Sequence, residues 1–134
     1  MSVDQQIEQF LAAPAFAVVG ASVKREKYGN KVLRCYMQDG RSVVPVHPAQ
    51  TMIEGLDCVA SVTDLPDDVD SISMITPPKI TEKVVALAVA KGIRNIWMQP
   101  GAESPVAVAY AQKHGVNVIA DGSCLLVVLH YHEH

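Results

Sequence analysis

Five short apolar runs, each closed by glycine, proline or a small polar residue, punctuate this chain, and helical spacing fills the intervals between them. The runs are FAVVG (16–20), SVVPV (42–46), VDSISMIT (69–76), RNIWMQ (94–99) and VNVIA (116–120). Near-continuous apolar runs of this length suit strands buried on both faces, as in parallel sheets. A short helix at 4–13 precedes the first run, with Ile7, Phe10 and Leu11 on one face and Pro14 as its stop. Between the later runs lie helical segments at 29–38, carrying Val32, Leu33, Tyr36 and Met37 on a stripe, and at 80–92. A last helix opens at Ser104-Pro105 and closes at His114-Gly115. Strand–helix alternation with short links predicts an α/β fold: a doubly wound, Rossmann-like parallel five-stranded sheet of order 3-2-1-4-5 with helices on both faces. Pro45 predicts an irregular or locally unpaired second strand. Residues 49–66 read as loop with a short strand or turn at 53–56, and 125–129 as a further strand or a packed tail. Residues 1–134 make a single domain without repeats, low-complexity tracts or linkers.

Composition narrows the function. The first residues contain no apolar signal core, and no apolar stretch approaches the roughly 20 residues of a membrane span. Cys35, Cys58 and Cys124 lack metal-type spacing and suit a reducing cytoplasm, which is the expected location. The net charge of -3 is unevenly spread. Residues 24–41 hold Lys24, Arg25, Lys27, Lys31, Arg34 and Arg41 against Glu26 and Asp39, a local +4, so the remainder carries -7. A compact basic patch on an acidic body points to an anionic small molecule rather than to nucleic acid or a membrane. A solvated helix face is the competing account.

In a doubly wound sheet, ligands bind beyond the carboxyl ends of the strands, at the switch point. With the order above, that point lies between the first and fourth runs. The strand ends supply Gly20-Ala21-Ser22, His47-Pro48, Thr76-Pro77-Pro78 and Gln99-Pro100-Gly101-Ala102. The helix opening near Gly29-Asn30 directs its N-terminus into the same crevice, where free N–H groups favour an anion. An NAD site is a poor match. GxGxxG is absent, eight residues separate Gly20 from Gly29, and His47-Pro48 stands where a carboxylate would hold the ribose. Neither GxxxxGK[ST] nor a pair of acids after the first run is present.

Taken in order, VVGAS, a glycine opening the next helix, VVPVHP, TPP, WMQPGA and a late Asp/Cys segment resemble the CoA-binding domain family. Its members are stand-alone Rossmann-like proteins similar to the N-terminal domain of the succinyl-CoA synthetase alpha subunit and of related NDP-forming acyl-CoA synthetases. The resemblance covers about residues 10–127. It implies that coenzyme A or an acyl-CoA is the ligand. Gly20, Ala21 and Ser22 would hold phosphates, with Tyr28 and Gly29 at the helix start and Lys24 and Arg25 neutralising charge. Val46, His47 and Pro48 would lie by the adenosine, Thr76, Pro77 and Pro78 by adenine and ribose, and Gln99 and Gly101 by the diphosphate or pantetheine arm. Two departures stand out. Relatives often carry Asn or Ser at the position of His47, and Asp121-Gly122-Ser123-Cys124 is one residue longer than the usual Asp-x-Cys.

No catalytic constellation emerges. The synthetase reaction implied by the resemblance needs a phosphorylatable histidine on a further domain, so a non-catalytic binding module is expected. An NAD(P)-binding oxidoreductase or redox sensor is the alternative. His47 is a turn residue or a ligand contact, and His114 complements a helix dipole. His130, His132 and His134 alternate and read as a solvated tail or, less simply, as metal ligands. Cys124 is either a buried inert thiol or the partner of a CoA mixed disulfide. Trp97 is read as core.

Overall fold

The computed structural model describes residues 1–133. In chain order it contains α1 (Val3–Leu11), β1 (Ala15–Val19), α2 (Tyr28–Gln38), β2 (Val43–Val46), β3 (Met52–Ile53), β4 (Leu56–Asp57) and a 3-10 turn (Val62–Asp64). It continues with β5 (Val69–Met74), α3 (Pro78–Lys91), β6 (Asn95–Met98), α4 (Pro105–Lys113), β7 (Asn117–Ile119) and α5 (Leu125–Val128). Five strands form one parallel sheet in the order β2-β1-β5-β6-β7. β3 and β4 form a separate hairpin whose two turn residues, Glu54 and Gly55, both have positive φ (50° and 80°), as a tight two-residue turn demands.

The expected doubly wound parallel sheet is present, but one placement needs correction. A single parallel bridge joins Val59 to Val46 on the outer side of β2, with His47 N–H donating to Val59 O (2.9 Å) and Val59 N–H to Pro45 O (3.1 Å). The 3-2-1-4-5 pattern holds when this bridge is its third member. The 69–76 run, expected in that place, lies on the other side of β1 as β5. Burial explains the exchange. Every residue of β5 except Asp70 is buried and the strand is paired on both sides, with β1 and β6, whereas Val59 is only partly buried. The switch point therefore falls between β1 and β5, not between β1 and the 94–99 run.

Right-handed crossovers in opposite directions from β1 place helices on opposite faces. One face packs under α1, α2 and α5 around Phe10, Phe16, Tyr36 and Trp97. The other packs under α3 and α4 around Ile72, Met74, Val85 and Ile96. Trp97 is core as expected, wholly buried and edge-on to Phe10 at 5.3 Å, with its indole N–H donating to Ser123 O (2.9 Å). Buried hydroxyls are satisfied: Ser71 donates to Phe10 O (2.8 Å), and Ser73 shares a 2.6 Å hydrogen bond with Tyr36. Residues 125–129 form a helical turn rather than a strand. Leu125 is buried and Val127 is 72% exposed, so the run has one inner side to cover against α2 and no sheet edge to join. Pro45 does not disturb β2: its register with Val18 is regular, and its carbonyl points outward to Val59.

Cys35, on the inner face of α2, is 1% exposed, and burial followed by the nearby Asp39 charge pushes its thiol up to about 12. Only thiolate reacts readily. A thiol-specific disulfide reagent at pH 8 should therefore leave Cys35 unlabelled in folded protein, while Cys58 and Cys124, both half-buried, react first. Mass mapping of the labelled peptides checks this; equal labelling of Cys35 and Cys58 would contradict the packing of α2.

Candidate functional site

At the end of β1 the chain turns sharply at Gly20, whose φ is +92° and where a Cβ would collide with the Ile75 carbonyl. α2 then begins with Gly29 seated directly on the Gly20 carbonyl oxygen, again with no room for a Cβ. These two glycines bring the helix N-terminus against the strand end. Lys27, the residue before the helix, caps no N–H with its side chain. Ser22 Oγ accepts the Lys24 N–H (3.1 Å), leaving its own proton free to donate. No protein acceptor among the described residues takes the N–H groups of Ala21, Ser22 or Val23. Three consecutive unpaired donors and a helix end without a side-chain cap thus lie on one short loop, a combination that favours an anion.

Beside this turn is a cavity of about 350 Å³. Its floor is Val19, Gly20 and Ala21; Val46, His47 and Pro48 form one wall, and Ile80, Val84 and Leu87 of α3 the other. Thr76 and Ser61 reach its edge. Ile80 and Leu87 are 42% and 46% exposed, an apolar stripe that α3 leaves uncovered. His47 Nδ1 accepts the Ala49 and Gln50 N–H groups at 3.0 Å each, which assigns its proton to Nε2 as a donor. Thr76 and Thr81 hydroxyls are 2.6 Å apart, fixing the start of α3.

The remaining sequence candidates lie elsewhere. Pro77 and Pro78 are exposed as the cap and first residue of α3, and neither lines the cavity. Lys24 and Arg25 are exposed, and Arg25 pairs with Glu54 at 3.5 Å. Arg25 also lines a second, more polar groove of about 850 Å³ with Lys31, Arg34, Glu54 and Glu133. Gly101 is an exposed turn residue with φ +97°, its N–H donating to Glu103 (2.6 Å). Gln99 is wholly buried. Its Oε1 accepts from Tyr28 Oη (3.0 Å) and Leu125 N–H (2.9 Å), while its Nε2 has no partner among the described residues. Tyr28 Oη also lies 2.8 Å from Cys124 Sγ. Burial, then the Cys124 hydrogen bond, holds the Tyr28 hydroxyl far above its usual range, so it stays protonated.

Sequence reading missed the 60–62 segment and the α3 stripe. The stripe left a signal: Ile80, Val84 and Leu87 recur at i, i+4 and i+7, one side of a helix. Of the alternating histidines, His134 lies outside the described residues, and no group of three His, Cys, Asp or Glu able to hold a metal occurs among those described. No described helix is long and apolar enough to cross a membrane.

The family model for the CoA binding domain matches residues 14–130, from the first strand to the end of the last helix. This chain belongs to the CoA-binding domain family. Among its relatives is the ADP-forming acetate–CoA ligase II of Archaeoglobus fulgidus, 32% identical over 114 residues, covering 76% of this domain and 17% of the ligase. The corresponding ligase I of the same organism is 25% identical, covering 89% of this domain and 19% of the ligase. The domain thus spans less than a fifth of either enzyme. Among solved structures, a conserved hypothetical protein from Pyrococcus furiosus is 42% identical with a TM-score of 0.81, covering 85% of this chain and 97% of that one. An acetyl-coenzyme A synthetase from Ca. Korarchaeum cryptofilum, in complex with phosphate and ADP, is 28% identical with a TM-score of 0.73; the match covers 81% of this chain and 26% of that one.

Proposed function

We propose that this domain binds coenzyme A or an acyl-CoA across the β1/β5 switch point and serves as a binding module. The observation that carries the reading is the pairing of two unlike features on one strand end. A run of unpaired N–H donors lies at residues 21–23, and an apolar cavity of about 350 Å³ opens next to it. A ligand that fits both has an aromatic base joined to phosphate, and membership of the CoA-binding domain family supports CoA as that ligand. The residues present suit its chemistry. The adenine ring would lie between the His47–Pro48 wall and the α3 stripe, with His47 Nε2–H as a donor. The diphosphate would take the 21–23 donors and the Ser22 hydroxyl. Lys24 and Arg25 are exposed near the loop, and each partly solvated contact of this type adds about 1 kcal/mol or less. CoA supplies a thiol for carrying acyl groups; the protein's part is to hold the nucleotide end.

Calorimetric titration of the domain with CoA and, separately, with NADH tests the reading. Saturable CoA binding at a stoichiometry of about one is expected, with no response to NADH, because the β2 end offers His47-Pro48 and no carboxylate for a ribose. NADH binding without CoA binding would replace this reading with an oxidoreductase or redox-sensing module.

A further inference from the structure

We propose that Asn30 is the positioning residue of the phosphate loop, the side chain that holds residues 20–24 in their donor-out conformation before any ligand arrives. The inference rests on the CoA reading above and adds to it a residue that would not touch the ligand. Asn30 is in the first turn of α2 and is wholly buried, an uncommon place for a carboxamide unless all its bonding groups are used. They are used on three separate segments. Its Nδ2 donates to Ser22 O (2.8 Å) in the loop and to Glu54 Oε2 (3.1 Å) in the β3–β4 turn, and its Oδ1 accepts from Arg34 Nε (2.7 Å). Arg34 is itself fixed, its second amino group donating to Arg25 O (2.7 Å) farther along the same loop.

The bond to Ser22 O sets the orientation of the loop. Drawing the Ser22 carbonyl inward toward Asn30 fixes the following peptide plane and keeps its N–H on the opposite, outer side. That N–H belongs to Val23, one of the three unpaired donors. Without the carboxamide, the Ser22 carbonyl loses its buried partner and the peptide is free to rotate. Ordering the loop would then be left to the ligand, and its affinity would fall accordingly. The hairpin turn at Glu54 and, through Arg34, the loop at Arg25 are held by the same clamp.

The test measures two quantities in wild type, Asn30→Ser and Asn30→Asp: CoA affinity by calorimetry, and amide hydrogen exchange without ligand. Serine removes the reach to Ser22 without adding charge. Aspartate keeps the volume and the Arg34 bond but has no donor. Both variants are expected to bind CoA at least tenfold more weakly. Exchange of the hydrogen-bonded loop amides, Lys24 and Lys27, should quicken while that of β1 and β5 stays at the wild-type rate, a local signature that general loosening of the fold would not give. Either folded variant binding CoA within twofold of wild type, or exchange rising equally in the sheet, overturns the proposal. If Asn30→Ser does not fold, the exchange of Asn30→Asp decides, since that readout involves no repulsion of a ligand. If wild type itself fails to bind CoA, the functional reading falls, and unchanged exchange at Lys24 and Lys27 in the variants would then defeat the positioning role as well.

Discussion

Replacing Gly29 with alanine is expected to destabilise the domain by about 3 kcal/mol, a large part of the roughly 5–15 kcal/mol that holds a domain of this size together. The cause is distance, since Gly29 has ordinary helical backbone geometry. A Cβ there would be driven into the Gly20 carbonyl oxygen, with the Gly20 carbonyl carbon and Ala21 Cα close behind. All three are backbone atoms and cannot rotate away like the tip of a side chain. Gly20 in turn cannot retreat, because it is packed on the Ile75 backbone at the end of β5. Relief requires lifting α2 off the sheet, which opens the contacts of Val32, Leu33 and Tyr36, all wholly buried. Urea unfolding of Gly29→Ala measures the loss through the midpoint at constant slope. A loss below about 1 kcal/mol would mean that α2 slides freely over the strand end, contrary to the packing described.

The Ser22→Asp variant is expected to weaken CoA binding about 100-fold with little change in stability. An aspartate at this position can keep the local turn, since a carboxylate oxygen accepts the Lys24 N–H as Ser22 Oγ does at 3.1 Å. The difference appears with the ligand. A carboxylate replaces a hydroxyl donor at the loop that would receive the diphosphate. Like charges about 4 Å apart at a partly solvated site repel by about 3–4 kcal/mol before screening, near the 2.8 kcal/mol of a 100-fold change. Calorimetry at low and moderate salt measures it, and the deficit should shrink as salt rises. Unchanged affinity in a folded variant would remove residues 20–22 from the site.

Much of this architecture was legible because burial leaves a strong imprint on short parallel strands. The runs at 16–20 and 94–99 could hardly be anything else: the first is offset by one residue from β1, and the second is two residues longer than β6. The order was harder. Placing the 69–76 run next to β1 requires knowing that Val59 takes the outer position, and a one-residue bridge leaves no periodic pattern to read. The 125–129 run was ambiguous for a related reason, because five apolar residues fit a strand or a helical turn equally well until it is known which neighbours are free. At the site, Gly20, Ala21, Val46, His47, Pro48 and Thr76 converge on one cavity. Asn30 had no signal of its own: a buried asparagine declares itself only through partners 8 and 24 residues away.

Pro45 carries a consequence for how this molecule meets others. Along β2, alternate residues turn their peptide groups toward β1 and away from it, and the away-facing position at the strand's middle is a proline with no N–H to offer. The carbonyl there and the next away-facing N–H, that of His47, are already taken by Val59. An extended segment from another chain would find neither a free donor nor a free acceptor across this stretch. β2 is therefore an edge in position but a poor template for strand addition, which guards the apolar sheet beside it against edge-to-edge aggregation.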